Sequence, residues 1–343
     1  MASILNSQNN QITEIGLIRL SALGDIVWTT PLLKSLKESF PHARITFFVG
    51  KGHACLFSGL DPINLVEMEK PRTLGDYRRL AKQLGAFQFD AFLCCQASLR
   101  INPLYFFVKA KRRIGWDSLR GRDGHRFFVS ESIPFQKEHS VEAFLGFARM
   151  LKASRISKDP TLEEDPQSRS WRESELPKKY LVYHHWASSE QRSLPLATAK
   201  KMLDWLKKKY QLPILLTGTQ DDNERLSSLI AEGIVSYAGR TSLVQLQSLL
   251  AGAELFIGPD SGPIHLANAM GTKTLGLYAA VPATYTGPYG QVDRCIDVYP
   301  QAVEKFMGRS VEKVNWRTRV YADNLMDLID FDRLTHKIEE ILG

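Results

Sequence analysis

The chain has 343 residues, 44% hydrophobic and 24% charged, with a formal net charge of +7. That composition belongs to an ordinary globular protein, long enough for two domains. No stretch approaches the roughly 20 apolar residues of a membrane span. The start, Met1-Ala2-Ser3-Ile4-Leu5-Asn6, has neither the basic opening nor the apolar core of a secretory signal, so a cytoplasmic protein is expected. Cys55, Cys94, Cys95 and Cys295 form no Cys-x-x-Cys pair. They are expected to be reduced thiols, with Cys94 and Cys95 pointing to opposite faces of a strand and no zinc or iron site.

Apolar runs and amphipathic stretches alternate along the chain. Ile15–Leu20 reads as a strand, Asp25–Phe40 as a helix and Arg44–Val49 as a second strand. Asp76–Leu84 is helical, Ala91–Cys95 is strand-like and Val141–Leu151 is an amphipathic helix. Ser154–Lys179 is polar, charged and without a clear period, which marks it as a linker. The pattern then restarts. Tyr180–Tyr183, Pro213–Leu216, Leu255–Ile257 and Thr274–Leu277 read as strands. Leu196–Lys209, Asn223–Ala231, Ser242–Ala251 and a segment opening at Ile264–Ala269 read as helices, and Leu325–Leu342 forms a last helical stretch. Strand–helix alternation predicts parallel sheets built from βαβ units. Two such runs predict an α/β protein of two doubly wound, Rossmann-like domains facing a cleft.

The charge is unevenly placed. Residues 1–160 carry 23 Lys and Arg against 14 Asp and Glu, whereas residues 161–343 carry 21 against 23. The excess concentrates in Leu99–Arg126, which includes Arg100, Arg112, Arg113 and Arg120. Such a cluster is either a solvated surface or a docking surface for an anionic partner.

Four turns could carry chemistry. In Arg19-Leu20-Ser21-Ala22-Leu23-Gly24-Asp25-Ile26-Val27 a strand runs through a small-residue turn into a helix. Ligands of open α/β sheets bind at the carboxyl ends of strands, so Asp25 is either a helix cap or a general base at the cleft. No Gly-x-Gly-x-x-Gly occurs here, which counts against a nicotinamide dehydrogenase. In Gly258-Pro259-Asp260-Ser261-Gly262-Pro263-Ile264-His265-Leu266 a strand ends and a helix begins, giving free N–H groups suited to a diphosphate. The loop His184-His185-Trp186-Ala187-Ser188-Ser189-Glu190-Gln191-Arg192 offers hydroxyls and a cation for phosphate oxygens, and its adjacent histidines diverge, so no metal is expected. Thr217-Gly218-Thr219-Gln220-Asp221-Asp222 places an acid just past a strand, as a ribose acceptor or a plain cap. Asp330-Phe331-Asp332 has the spacing of a metal-binding Asp-x-Asp but lies in the terminal helical stretch and reads as helix charge.

Together these residues resemble the ADP-heptose:lipopolysaccharide heptosyltransferases, glycosyltransferase family 9. The match rests on Ser21–Ile26 with Thr30–Lys37, on Ala238–Leu243 leading into Gly258–Ala267, and on Thr286–Gly290. The resemblance implies the GT-B architecture, with domains at 1–160 and 161–320 and a final helix at 321–343 packing back on the first domain. It implies an inverting, metal-independent transferase without a cofactor, in which Asp25 is the base and Arg192 a catalytic cation. It places the donor on Ser188, Asp222, Thr241, Asp260, Ser261, Gly262, Ile264 and His265, and an anionic acceptor on Arg100, Arg112, Arg113 and Arg120. The implied partners are ADP-heptose, an anionic glycolipid and the cytoplasmic membrane face, not nucleic acid. Arginine at 192 departs from the family's lysine, and Tyr278–Pro282 departs from its usual Gly-Pro-Thr type of loop. A nucleotide-sugar epimerase of the same architecture and a non-catalytic nucleotide-sugar-binding protein remain alternatives.

Overall fold

The computed structural model describes residues 12–187, 189–315 and 317–343. Its first sheet contains β1 (Glu14–Arg19), β2 (Arg44–Gly50), β3 (Ile63–Met68), β4 (Gln88–Leu93), β5 (Lys109–Gly115) and β6 (Glu131–Ser132). Its second contains β7 (Leu181–His184), β8 (Ile214–Thr217), β9 (Ile234–Ser236), β10 (Leu255–Pro259), β11 (Thr274–Tyr278) and β12 (Ile296–Asp297). The spatial orders are β3-β2-β1-β4-β5-β6 and β12-β11-β10-β7-β8-β9, with every pairing parallel. Strand order reverses between β1 and β4 in one sheet and between β10 and β7 in the other. Ligands of doubly wound sheets bind in the crevice at such reversals, so the sequence's two strongest turns flank the two switch points.

Helices cover both faces of each sheet, and the central strands are buried on both sides, which explains their continuous apolar character. In the first sheet Leu17 and Phe47 are in register and face one core, while Ile18 and Phe48 face the other. Cys95 joins the first of these cores and Cys94 the second, on opposite faces as expected. The first core runs on into the second domain through Leu249, Ile264 and Tyr278, so apolar packing is continuous between the domains.

Several elements differ from the sequence reading. The Asp25–Phe40 helix is two helices, Leu23–Val27 and Thr30–Ser39, the second opening on Pro31. Proline is well placed in a first helical turn and poorly placed in an interior. The Ser154–Lys179 linker contains a helix, Pro166–Glu175, capped by the Asp165 carboxylate on Ser168 N at 2.8 Å. The expected Asn223–Ala231 helix shrinks to Asp222–Arg225 and a short 3₁₀ turn.

Among the described residues the final helix, Phe331–Leu342, packs on the second domain and not back on the first. Its apolar stripe, Leu334, Ile338 and Ile341, is buried in the second domain's own core. Lys273 Nζ donates to the Ile341 carbonyl at 3.0 Å, and Lys209 pairs with Glu339. An amphipathic helix settles where its apolar face finds partners, and here Met202, Leu203 and Leu206 stand on the same domain. What reaches the first domain instead is the segment before that helix: Arg317 donates to the Leu119 carbonyl at 3.1 Å. Asp330 caps the final helix by accepting from Arg333 N at 2.9 Å.

Candidate active site

A cavity of about 450 Å³ lies between the domains, lined by Arg19, Gly24, Asp25 and Trp28 on one wall and by Arg192, Asp260, Ser261, Gly262 and His265 on the other. The first wall is built at the carboxyl end of β1. Arg19 ends the strand, donates through Nη1 to the Cys95 carbonyl at 2.8 Å and pairs through Nη2 with Asp25 Oδ1 at 2.6 Å. Asp25 is the third residue of the Leu23–Val27 helix, and its Oδ2 accepts from Ala22 N at 3.1 Å. The side chain thus satisfies one orphan N–H at the helix start while 31% of it stays exposed. The cap reading and the cleft reading of Asp25 both describe the same residue.

The second wall is built at the carboxyl end of β10. Asp260 follows the strand directly, and Arg192 Nη1 donates both to its carbonyl at 2.9 Å and to its Oδ2 at 2.8 Å. Burial pushes the Asp260 carboxyl above its usual range, against the pull of Arg192, Arg319 and Thr286. The Gly262–Ala269 helix opens just beyond, with Pro263 in its first turn. Its leading N–H groups have no intrahelical acceptor and carry the positive end of the helix dipole.

The two motifs also pack against each other. A Cβ on Gly24 would lie 2.6 Å from His265 Cδ2, and one on Gly262 would lie 2.9 Å from Leu23 Cβ. Gly262, expected to admit a ligand, therefore admits the opposing helix. Trp28 meets His265 edge-on at 4.6 Å between ring centroids, and His139, which bonds the Gly287 carbonyl, flanks Trp28 at 6.2 Å. His265 is buried, its Nδ1 has no hydrogen-bond partner among the described residues, and burial lowers its pKa to about 3. It is a neutral ring in a domain seam.

The structure places the remaining expected donor residues as follows. Ile264 is wholly buried, so only its backbone can reach a ligand. Asp222 Oδ2 accepts from Thr219 N and Oγ1, both at 2.7 Å, beyond the carboxyl end of β8. Thr241 lies in the turn after β9, half-buried. Neither lines the cavity, although both sit on the same carboxyl edge of the sheet. Ser188 lies outside the described residues.

The basic cluster is not one surface. Arg112 makes a two-pronged pair with Glu131 at 2.6 and 2.7 Å and reaches the Met150 carbonyl, while Arg113 donates to the Tyr105 carbonyl. Both belong to β5, a strand the sequence reading missed because lysines and arginines interrupt its period. Arg120 does line the cavity, but its side chain is 4% exposed and held by Asp117, Glu138 and the Pro134 carbonyl over the Trp116 ring. Arg100 is exposed outside the cavity lining. Arg122 of the basic run also lines the cavity, with Arg317 and Arg319, which the sequence reading did not single out. Nothing in the local pattern distinguishes Arg317 and Arg319, because the fold brings them to Arg122 from 195 and 197 positions away. Lys70, just past β3, is also near Asp25, Arg19 and Arg100, and burial with the two arginines lowers its pKa. Among the described residues no group of three or more His, Cys, Asp or Glu is placed to hold a metal ion.

Known proteins are similar to this chain in sequence and in fold. Lipopolysaccharide core heptosyltransferase OpsX of Haemophilus influenzae is 27% identical over 95% of this chain and 96% of its own. The glycosyltransferase family 9 structure from Veillonella parvula superposes with a TM-score of 0.76 at 17% identity, covering 96% of this chain and 97% of that one. Escherichia coli heptosyltransferase WaaC with ADP gives 0.72 at 18% identity, covering 96% and 100%. The profile of glycosyltransferase family 9 (heptosyltransferase) matches residues 77–314, more than half of the chain. A two-domain cleft with an open carboxylate facing an arginine-gripped helix start, on a chain that carries this profile, makes the protein a glycosyltransferase, and it belongs to glycosyltransferase family 9.

Proposed function

We propose that the protein transfers heptose from ADP-heptose to the inner core of a lipopolysaccharide, with inversion and without a metal. The observation that carries this is the opposition of Asp25 to Arg192, Ser261 and Gly262 across one cavity. Displacement with inversion is in-line, so the base and the leaving group must stand on opposite sides of the anomeric carbon. Asp25 takes the acceptor hydroxyl's proton as that oxygen attacks. Arg19 is a positioning residue: its ion pair, with the Ala22 N–H, fixes the carboxylate's orientation. The bond to the diphosphate breaks as the sugar passes through an oxocarbenium-like state. Arg192, Ser188 and the leading N–H groups of the Gly262–Ala269 helix meet the charge gathering on the departing ADP, a preorganised role that metal ions fill elsewhere. Asp222 and Thr241, on the same sheet edge, are assigned to the ribose and base.

We place the enzyme on the cytoplasmic membrane face. Leu99, Phe106, Leu119 and Phe127 are 59–72% exposed on first-domain segments that also carry Arg100, Arg122 and Arg126. Apolar side chains among cations suit an anionic lipid surface. No described helix is long and apolar enough to cross a membrane.

The test is transfer of label from ADP-heptose to a heptose-deficient lipopolysaccharide. Turnover is expected to survive excess EDTA. Activity lost to EDTA and restored by Mg²⁺ or Mn²⁺ would remove the metal-independent mechanism. Release of free sugar without an acceptor would favour an epimerase-like reaction instead.

A further inference from the structure

We infer that Tyr289 and Glu142 are positioning residues: their hydrogen bond ties the two domains together and fixes the direction in which the Gly262–Ala269 helix aims its free N–H groups. That helix start meets the donor diphosphate in the transfer reading above, on which this inference rests. The Thr286–Gly290 motif, unused in that reading, supplies the tie.

The Gly262–Ala269 helix is eight residues long. At its start Gly262 packs against Leu23 of the first domain, with no room for a Cβ. One close contact leaves a short helix free to tilt about it. The second hold lies near the other end. Asn268 Nδ2 donates to the Tyr289 carbonyl at 3.0 Å, and the Tyr289 hydroxyl donates to Glu142 Oε1 at 2.6 Å. Glu142 belongs to the first domain's Ser140–Met150 helix. At 1.5 Å per residue the two holds are about 9 Å apart, so together they set the helix axis relative to the wall that carries Asp25. His139 braces the strap: its Nε2 bonds the Gly287 carbonyl at 2.9 Å, and its ring centroid lies 5.0 Å from that of Tyr289.

The tie does not titrate in the neutral range. Glu142 also pairs with Lys158 and Arg149. Against the push of burial, Tyr289 and these two cations hold the Glu142 carboxyl down at about 2, while burial, with Glu142, pushes the Tyr289 phenol up. The acceptor is therefore ionised and the donor protonated, which makes this a charge-assisted bond. Tyr289 and Glu142 stand outside the cavity lining, so both act through the helix and not on a substrate. Donors that stabilise developing charge must be aimed before the reaction, and a misplacement of about 1 Å costs up to about 10²-fold in rate.

Tyr289→Phe keeps the ring and removes the hydroxyl. In the full chain, assayed with ADP-heptose and heptose-deficient lipopolysaccharide, kcat is expected to fall about tenfold. The ADP Kd should stay within about twofold, because the contacts assigned to ADP all lie in the second domain. Glu142→Ala should match this loss. Glu142→Gln, whose amide oxygen still accepts from the hydroxyl, should lose less. Tyr289→Phe combined with Glu142→Ala should be no slower than Glu142→Ala alone, as for two groups that act through one bond. A lower melting temperature with kcat unchanged would make the bond merely structural and overturn the inference. Losses in kcat that multiply in the double variant would overturn it as well. Nitroxides on Leu74→Cys and Val235→Cys, two exposed positions on the two domains, read the tie without turnover in a chain whose exposed Cys55 is replaced by Cys55→Ser. Tyr289→Phe should broaden their distance distribution, and an unchanged distribution would overturn the tie whether or not the enzyme turns over. If the wild-type enzyme transfers nothing, the transfer reading has failed, and the distance distribution alone decides the tie.

Discussion

Asp25 and Asp260 face each other across one cavity, each beside the carboxyl end of a central strand and each gripped by an arginine, yet their burial sets them apart. The Asp25 side chain is 31% exposed, while that of Asp260 is 12% exposed beside an Arg192 that is 14% exposed. A carboxylate that must take a proton from a substrate has to be reached by it. A carboxylate enclosed with an arginine serves chiefly to hold that arginine in place. On the proposed function the same pair of residue types is thus a reactive site on one wall and a scaffold on the other, and solvent access separates the two.

The sharpest way to break this comparison is to remove each acid in turn. Asp260→Ala removes the carboxylate that Arg192 pairs with, and breaking a buried pair on one side costs about 3–5 kcal/mol. Denaturant unfolding should show a loss near the lower figure, since the pair is not wholly enclosed. Asp260→Ala combined with Arg192→Ala should recover part of it. Asp25→Asn should act on rate instead. Asparagine can still accept from Ala22 N, but it cannot take a proton, so kcat should fall at least about 10²-fold. The loss of the Arg19 pair should lower stability by no more than about 1 kcal/mol, and ADP affinity should be unchanged. A stable, active Asp260→Ala beside an unfolded Asp25→Asn would reverse the two assignments.

Both acids were legible in the sequence because each sits in a short turn between an apolar strand and a helix, a local pattern. The sheets were legible for the same reason wherever strands are buried on both faces, as in Leu255–Ile257. β3 and β5 were not, because Asn64 and Glu67 break the apolar run of one and lysines and arginines that of the other, and their strand identity comes from the register with β2 and β4. The basic run around Arg112 read as surface because a sequence cannot show that Glu131, 19 positions on, completes the pair. Arg122 joins Arg317 and Arg319 at one cavity only in three dimensions. The final helix was misplaced because an amphipathic stripe states that a face is buried, not against which domain.

A milder perturbation asks whether the two walls must touch. Gly24→Ala drives a Cβ toward His265 Cδ2, at 2.6 Å before relaxation. Overpacking of this kind costs about 1–3 kcal/mol, and here it falls on the contact between the Leu23–Val27 and Gly262–Ala269 helices. A stability loss near about 2 kcal/mol with a raised donor KM is expected. Normal stability with normal kinetics would show that the helices can part without consequence for the site.

The smallest expected effect concerns His265, which separates the walls by pH. Its folded-state pKa is lowered to about 3 by burial, far below that of an exposed histidine. The sign follows from which state takes the proton. Above an unfolded pKa of about 6.5 the ring is neutral in both states and its full contribution to stability is present. Below that value the unfolded chain binds a proton that the folded chain refuses, so stability falls as the pH drops toward 3. At pH 6 the loss is about 0.8 kcal/mol for one such ring, by the same linkage. Burial likewise lowers His184, His185 and His125 to about 4. Burial lowers His139 as well; three of these five rings belong to the second domain, so mild acid should loosen the Asp260 wall somewhat more than the Asp25 wall. Comparing wild type with His265→Asn by denaturant unfolding at pH 8 and pH 6 isolates the one ring: the variant should lose about 0.8 kcal/mol less between the two conditions. Equal losses would mean that His265 is protonated within the folded protein, with an anionic neighbour, and would remove it from the neutral seam.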